Sequence, residues 1–430
     1  MQIDATGITN YPLRAFQRDY WEFHSHDPRS PGTHILFGVD VRGDLDRGAL
    51  EAALVELRRS HPILRTTYAE RGGGVRQYVA IGDDAPLPLS TVEYSPLRVT
   101  SLGELVQDRA TTPFDLARGP CWRVVLVSDP ADARHHLVLF DVHHIGWDAL
   151  SSPIALADLG SWYAAITSRD ATRRPPAPAL SNIDLARALD RYAITPAGIA
   201  DREFWSSALA DAPPVELPVD RPVATPAPDR RPPSLMVSAR GTIPLATIER
   251  LQREAEKAQT TVFVVCLSAL ARLLHRMSGQ CDLCIEMPVA ERRYDPRLAR
   301  ALGPFVHCLV VRTTLAKSAS VLDSVPALKH SVGLAMKHRR APATDFASPT
   351  IRRVGINYLQ APPLGVGHIV DFGPQLRAMG FAPPVETGSQ YDLFVYIRGH
   401  SVMIFGRDDL FTRDTCDRML AEYLELLESA

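Results

Sequence analysis

Two imidazoles and a carboxylate stand within six residues in the segment Phe140-Asp141-Val142-His143-His144-Ile145-Gly146-Trp147-Asp148-Ala149. Histidine is the side chain whose unperturbed pKa suits proton transfer near neutrality. The run HHLVLFDV before the tandem is apolar and β-rich, so the pair ends a strand. Neighbours on a strand project to opposite faces, so only one of the two rings can serve a given cavity. Asp148 follows four residues after His144, ahead of a helix. This arrangement divides labour between one imidazole for proton transfer and one carboxylate that fixes the loop. A metal centre fits less well, because the strand separates the two rings and no third ligand has convincing spacing.

The elements that must position this segment are legible on both sides of it. Asp46 is a suitable cap for a helix whose apolar stripe is Leu50, Leu54 and Leu57. ILFGVDV, CWRVVLV and HHLVLFDV read as strands, and residues 149–166 as a helix with Pro153 in or before its first turn. Residues 213–233 contain eight prolines and read as an extended, fairly stiff surface connector between two halves. Beyond it, 246–276 predicts two helices broken near Gln259–Thr261. The strand-like runs DLCIEMPV, CLVVRTTL, RVGINYL and YDLFVYI follow, the last paired with VMIFG through a turn at Arg398-Gly399-His400. A closing amphipathic helix carries Met419, Leu420, Tyr423, Leu424 and Leu427. The expectation is two α/β lobes of mixed sheet, and a cleft between packed lobes is a preferred place for a ligand.

Bulk properties set the class. A chain of 430 residues with 46% hydrophobic content supports two or three domains, each with its own core. The formal net charge of -2 gives no electrostatic footprint for nucleic acid or an anionic membrane. The six cysteines are too sparse for a disulfide framework, and Cys281-x-x-Cys284 sits inside an apolar strand, so reduced buried thiols are expected. The N-terminus lacks the apolar core of a secretory signal and no run of eighteen apolar residues exists, which makes a cytoplasmic protein the default.

His143-His144-x-x-x-Asp148-Ala149 resembles the H-H-x-x-x-D-G motif of the condensation domains of nonribosomal peptide synthetases, which are similar to chloramphenicol acetyltransferase. Pro12-Leu13-Arg14-Ala15-Phe16-Gln17-Arg18-Asp19-Tyr20-Trp21 and Arg59-Ser60-His61-Pro62-Ile63-Leu64-Arg65-Thr66-Thr67-Tyr68 resemble two further signatures of that family. So do Pro113-Phe114-Asp115-Leu116 with Gly119-Pro120-Cys121-Trp122-Arg123, and Leu217-Pro218 through Asp220-Arg221-Pro222. Met287-Pro288-Val289-Ala290-Glu291-Arg292 and Gly303-Pro304-Phe305-Val306-His307-Cys308-Leu309 complete a series that runs in order along nearly the whole chain.

The resemblance implies an α/β fold of two chloramphenicol-acetyltransferase-like lobes, a V-shaped pseudodimer with a tunnel between them. The implied lobes are residues 1–180 and 235–430, with an inter-lobe helix and Pro-rich connector over 181–234. It makes His144 the catalytic ring facing the tunnel and His143 the supporting one. It pairs Asp148 with Arg292 from the second lobe, mainly as structure. His144 then either accepts the nucleophile's proton or stabilises the tetrahedral intermediate, and a backbone N–H near Ala149 is a candidate oxyanion donor. Gly146, Trp147, Ala149 and His307 are expected along the tunnel.

Three departures from the family pattern stand out: Ala149 for glycine, the large Trp147, and His307 for asparagine. Asp371-Phe372-Gly373 is read as a surface turn, not a kinase element, and Lys337-His338-Arg339-Arg340 as a solvated face.

The function implied is an acyltransferase of secondary metabolism, free-standing or an excised domain. It joins an acyl thioester on the phosphopantetheine of an acyl or peptidyl carrier protein to a small amine or alcohol, with no bound cofactor, metal, nucleic acid or membrane. Two alternatives stand beside it. One is the same fold using a soluble acyl-coenzyme A. The other is a non-catalytic recruitment module, against which the retention of both histidines argues.

Overall fold

The computed structural model describes residues 9–80, 85–93, 99–221, 234–346, 353–359, 366–383, 388–389 and 391–430. The chain forms two compact units that interleave in sequence: Met1–Asp190 with Ala290–Val306 and Pro363–Glu386, and Arg191–Val289 with His307–Pro362 and Thr387–Ala430. Arg292, expected from a second lobe, therefore belongs to the same unit as the tandem histidines.

The first unit is built on strands β1 (Thr9–Pro12), β2 (His34–Arg42), β3 (Thr66–Glu70), β4 (Val75–Val79), β5 (Leu89–Glu93), β6 (Trp122–Asp129) and β7 (Asp132–His143). Its helices are α1 (Ala15–His26), α2 (Arg47–Ser60), α3 (Val99–Thr111), α4 (Ser151–Ser168) and α5 (Asn182–Ala193). The return segment adds an edge strand, β12 (Arg377–Phe381), which pairs antiparallel with β2. The main sheet runs β12-β2-β7-β6-β5, and β1, β4 and β3 make a second, three-stranded sheet. Register places His34 opposite His143, so β2 and β6 flank the strand that ends in the histidines.

Sequence chemistry accounts for the helices against this sheet. Asp46 caps α2 by accepting from the Ala49 N–H at 3.0 Å. Leu50, Leu54 and Leu57 are fully buried in one core with Phe37, Val39, Phe140 and Leu159. Each such burial contributes roughly 1.5–3 kcal/mol. Pro153 is the third residue of α4, where its missing N–H costs nothing. Asp371-Phe372-Gly373, read as a surface turn, instead leads into a turn at residues 374–375, and Phe372 is buried against Tyr163.

The second unit holds α6 (Pro196–Leu209), β8 (Ser234–Thr242), α7 (Leu245–Lys257), α8 (Val262–Ser278), β9 (Asp282–Ala290), β10 (Val306–Thr314), α9 (Val321–Lys337) and β11 (Val354–Leu359). It closes with β13 (Gly388–Ser389), β14 (Leu393–Arg398), β15 (Ser401–Arg407) and α10 (Arg413–Glu428). The sheet order is β10-β9-β11-β14-β15-β8-β13. β11 and β14 are parallel, whereas β14 and β15 form the expected hairpin, with Gly399 at φ 55 supplying the left-handed turn residue. The break between α7 and α8 falls where the polar Gln259–Thr261 stretch placed it. Among the described residues no single helix is long and apolar enough to cross a membrane. All six cysteines are free; Cys284 is buried on β9, and Cys281, just before it, is half-buried.

Two expectations need correction here. The Pro-rich stretch is not wholly a surface connector: Val215 and Leu217 are buried in the second unit's core, because their apolar side chains outweigh the extended backbone around them. Its residues 222–233 lie outside the described residues. Lys337–Arg340 is not a purely solvated face either. His338 stacks on Phe204 at 4.0 Å and pairs with Asp201 at 2.8 Å, and Arg340 lies over Tyr192.

Candidate active site

β7 ends at His143, and His144 begins a single 3-10 turn, His144–Gly146. That change of backbone sends the two rings apart and gives them different hydrogen-bond partners. The Ile145 N–H donates to His143 Nδ1 at 3.0 Å, so His143 carries its proton on Nε2 when neutral, and Nε2 meets His24 Nδ1 at 3.2 Å. In His144 the pattern is reversed. Its Nδ1 lies 2.9 Å from the Trp147 carbonyl oxygen, which can only accept, so Nδ1 holds the proton and Nε2 presents a lone pair. The backbone of one short turn thus fixes opposite tautomers in adjacent histidines.

The surroundings of the rings diverge as well. His143 is buried among His24, His34 and Phe114, and His34 is paired at 2.8 Å with Asp141, which also meets Arg123 at 3.2 Å. Burial pushes the His143 pKa well below its ordinary value, and repulsion of a second positive charge by His24, His34, His144 and Arg123 pushes the same way. His144 is only partly buried, with its ring stacked on Tyr20 (4.2 Å between centroids, 20° between planes) and tilted against Phe16 at 5.4 Å. Burial lowers its pKa to about 4, offset in part by hydrogen bonds to backbone carbonyls and, least of all, by the charge of Asp148. Near neutral pH His144 is uncharged and able to accept a proton at Nε2.

Asp148 is 1% exposed and fully engaged. Oδ1 accepts from the N–H and the hydroxyl of Ser151, each at 3.0 Å. Oδ2 accepts from the Phe305 N–H at 2.8 Å, and Arg292 Nη1 bridges both oxygens at 2.8 and 2.6 Å. The other end of the guanidinium donates to Ser151 Oγ and to the Ala301 carbonyl, each at 2.7 Å, and the cation lies over the Phe305 ring. This knot ties the start of α4 to the loop 301–305.

The remaining expected residues fall in separate places. Trp147 does not line an open channel: it is 2% exposed, stacked on Phe37, and donates from Nε1 to Ser152 Oγ at 3.1 Å. Its size suited the core, and sequence alone did not distinguish core from cavity. At Gly146 the side where a Cβ would project is filled by Tyr68 and Ile63, with the Tyr68 hydroxyl 3.1 Å away, so close packing explains the glycine. Ala149 is exposed. His307 is buried on β10 in the second unit.

α1 is the support that sequence reading left without a role. Gln17 donates to the Ile145 carbonyl at 3.2 Å, and Arg14 donates to the Pro304 carbonyl at 2.9 Å. One helix therefore touches both the histidine turn and the loop beside Arg292. The three- and four-residue spacing of Phe16, Tyr20 and Phe23 was the available signal for an aromatic face.

The sequence matches the family described as "Condensation domain" over residues 8–353. The chain belongs to the condensation-domain family. It is 30% identical over its whole length to phosphinothricin tripeptide synthetase PhsB of Streptomyces viridochromogenes, and spans 36% of that synthetase. It is 30% identical over 77% of its length to chondramide synthase cmdD of Chondromyces crocatus, of which it spans 8%. The condensation domain thus corresponds to about a third or less of these relatives. Among solved structures, the X-domain in complex with OxyB from teicoplanin biosynthesis superimposes with a TM-score of 0.83 at 26% identity, covering 98% of this chain and 93% of that one. The first condensation domain of the calcium-dependent antibiotic synthetase gives 0.73 at 19% identity, covering 97% and 95%, which shows the shared mixed α/β fold.

Proposed function

We propose that this condensation domain catalyses acyl transfer from the phosphopantetheine thioester of an acyl or peptidyl carrier protein to an amine or alcohol. The observation that carries the reading is the state of His144: neutral, fixed as the Nδ1–H tautomer, with the Nε2 lone pair left as the group's reactive atom. The acceptor's nitrogen or oxygen attacks the thioester carbonyl, forming the new C–N or C–O bond and a tetrahedral oxyanion. Nε2 takes the proton that the acceptor loses. The intermediate collapses with cleavage of the C–S bond, and the proton passes from the imidazolium to the departing thiolate. Asp148 and Arg292 hold the turn that aims the ring and take no proton. The fixed Nδ1–H tautomer suits this role, because it leaves the Nε2 lone pair to take the acceptor's proton.

The test is intact-protein mass spectrometry of an acyl-loaded carrier protein offered a panel of amines and alcohols. The same acyl group is also supplied on coenzyme A. Faster transfer from the carrier, with a gap that narrows as ionic strength rises, is the expected result. Equal transfer from coenzyme A at every salt concentration assigns the soluble donor instead.

The likeness to an X-domain seen in complex with OxyB favours a second reading, a recruitment module that binds a partner enzyme without turning over a thioester. In that case no acyl transfer occurs with any donor, and His144→Ala leaves partner binding unchanged.

A further inference from the structure

The Trp147 carbonyl holds His144 at one atom only, and a ring tethered at Nδ1 alone can still swing about that contact. Two rings of α1 limit the swing: Phe16, tilted against the imidazole at 5.4 Å, and Tyr20, which lies 4.2 Å from it at 20°, the one stacked face. Tyr20 is itself braced along α1, by Phe16 at 4.8 Å and Phe23 at 6.1 Å. The Gln17 bond to the Ile145 carbonyl keeps the helix seated on the turn. When Nε2 takes a proton, the imidazolium gains little from Asp148, whose charge is matched by Arg292. The face of an electron-rich ring at 4.2 Å then adds to what the Trp147 carbonyl supplies at Nδ1, with stabilisation of the kind that aromatic rings give to cations.

We infer that Tyr20 is a positioning residue for His144, fixing the plane of the imidazole and lending its π face to the imidazolium formed during transfer. This rests on the acyl-transfer reading above. Stacking needs the ring and not the hydroxyl, so the conservative variant Tyr20→Phe should behave as the parent does. Tyr20→Leu keeps much of the bulk and removes the π face. His143 and Asp148 are the titratable groups whose charge reaches the ring, and neither variant alters them.

The experiment uses the full chain labelled with nitrogen-15 at histidine, free of substrate, with steady-state kinetics run in parallel. In Tyr20→Phe the His144 tautomer, its titration midpoint and kcat should stay within about twofold of the parent. In Tyr20→Leu the midpoint should fall and kcat should drop by about three- to thirtyfold, with KM held. A folded Tyr20→Leu with unchanged His144 signals and unchanged kcat overturns the inference. If the leucine variant fails to fold, Tyr20→Met is measured against the same criteria, because methionine adapts to the same gap. The two readings fail separately. Absence of turnover in the parent with any donor removes the acyl-transfer reading, and turnover that survives in His144→Ala removes His144 as its base, while in both cases the spectra of Tyr20→Leu still report on positioning. Lost turnover in His144→Ala with silent spectra in Tyr20→Leu removes the positioning role alone.

Discussion

Asp148 and His144 lie on one short turn, yet their surroundings are opposite. The carboxylate is closed: five donated hydrogen bonds fill its two oxygens, and an arginine neutralises it. The imidazole is held by one carbonyl and two aromatic rings, and its second nitrogen is not spent on the fold. His143 sharpens the contrast, since it has the same side chain one residue away but both its nitrogens face protein partners. A polar group whose valences are all met internally stabilises the fold and has nothing left for a substrate. A group fixed at one atom and open at another can do chemistry without losing its position.

Removing the open group should produce the largest effect and the cleanest one. If the ring is the base, His144→Ala should lower single-turnover transfer by about 10²–10⁴, and, since the ring is only partly buried, it should lower the melting temperature less than Asp148→Ala does. Near-full turnover would erase the distinction between the two histidines. Opening the closed group should do the reverse. Asp148→Ala leaves Arg292 buried without its counter-charge and should cost roughly 3–5 kcal/mol of stability by denaturant unfolding. A stable Asp148→Ala with selective loss of rate would place the carboxylate in the chemistry.

Trp147 tests the boundary of the closed region at smaller scale. Trp147→Phe strands the Ser152 hydroxyl without its indole donor and should cost about 1–3 kcal/mol. The profile of accepted acyl groups and acceptors should not change. A shift toward bulkier substrates at full stability would restore the channel-lining role that the indole's burial argues against.

These contrasts explain what the sequence disclosed and what it withheld. Strands such as HHLVLFDV and the Asp46-capped helix were legible because burial and capping leave local patterns of period and residue type. The Asp148–Arg292 pair was reachable only through family resemblance, since 144 positions separate its partners and no local pattern joins them. The assignment of Arg292 to the unit of the histidines was not reachable at all, because the crossing segment Ala290–Val306 reads like any strand-end and turn. Trp147 and Tyr20 failed in opposite directions. A large aromatic was read as a cavity wall when it was core, and one at helical spacing was passed over when it faced the key imidazole. Composition reports that a side chain seeks cover, not which neighbour covers it.

The smallest expected effect concerns acid. Burial lowers the pKa of His143, His144 and half-buried His24, whereas the unfolded chain titrates near ~6.5. Below that pH the unfolded state takes up protons that the folded state refuses, so stability rises with pH across this window. The full contribution is present above ~6.5 and is lost as pH falls toward the folded value, about 4 for His144. Each group adds at most ~1.4 kcal/mol per pH unit, less where solvent reaches it. The melting temperature should therefore decline from pH 7 to pH 5 ~, and His144→Ala, lacking one refused proton, should decline less steeply than the parent. Carboxylates contribute equally to both proteins and cancel in that difference. The rate should behave otherwise: neutral His144 persists down to a pH near its folded value, so the acid limb of kcat should lie well below ~6.5. An acid limb at the ordinary histidine pKa, or parallel melting curves for the two proteins, would show that His144 is as solvated as any surface histidine. The separation between the closed and open sides of the turn would then rest on Asp148 alone.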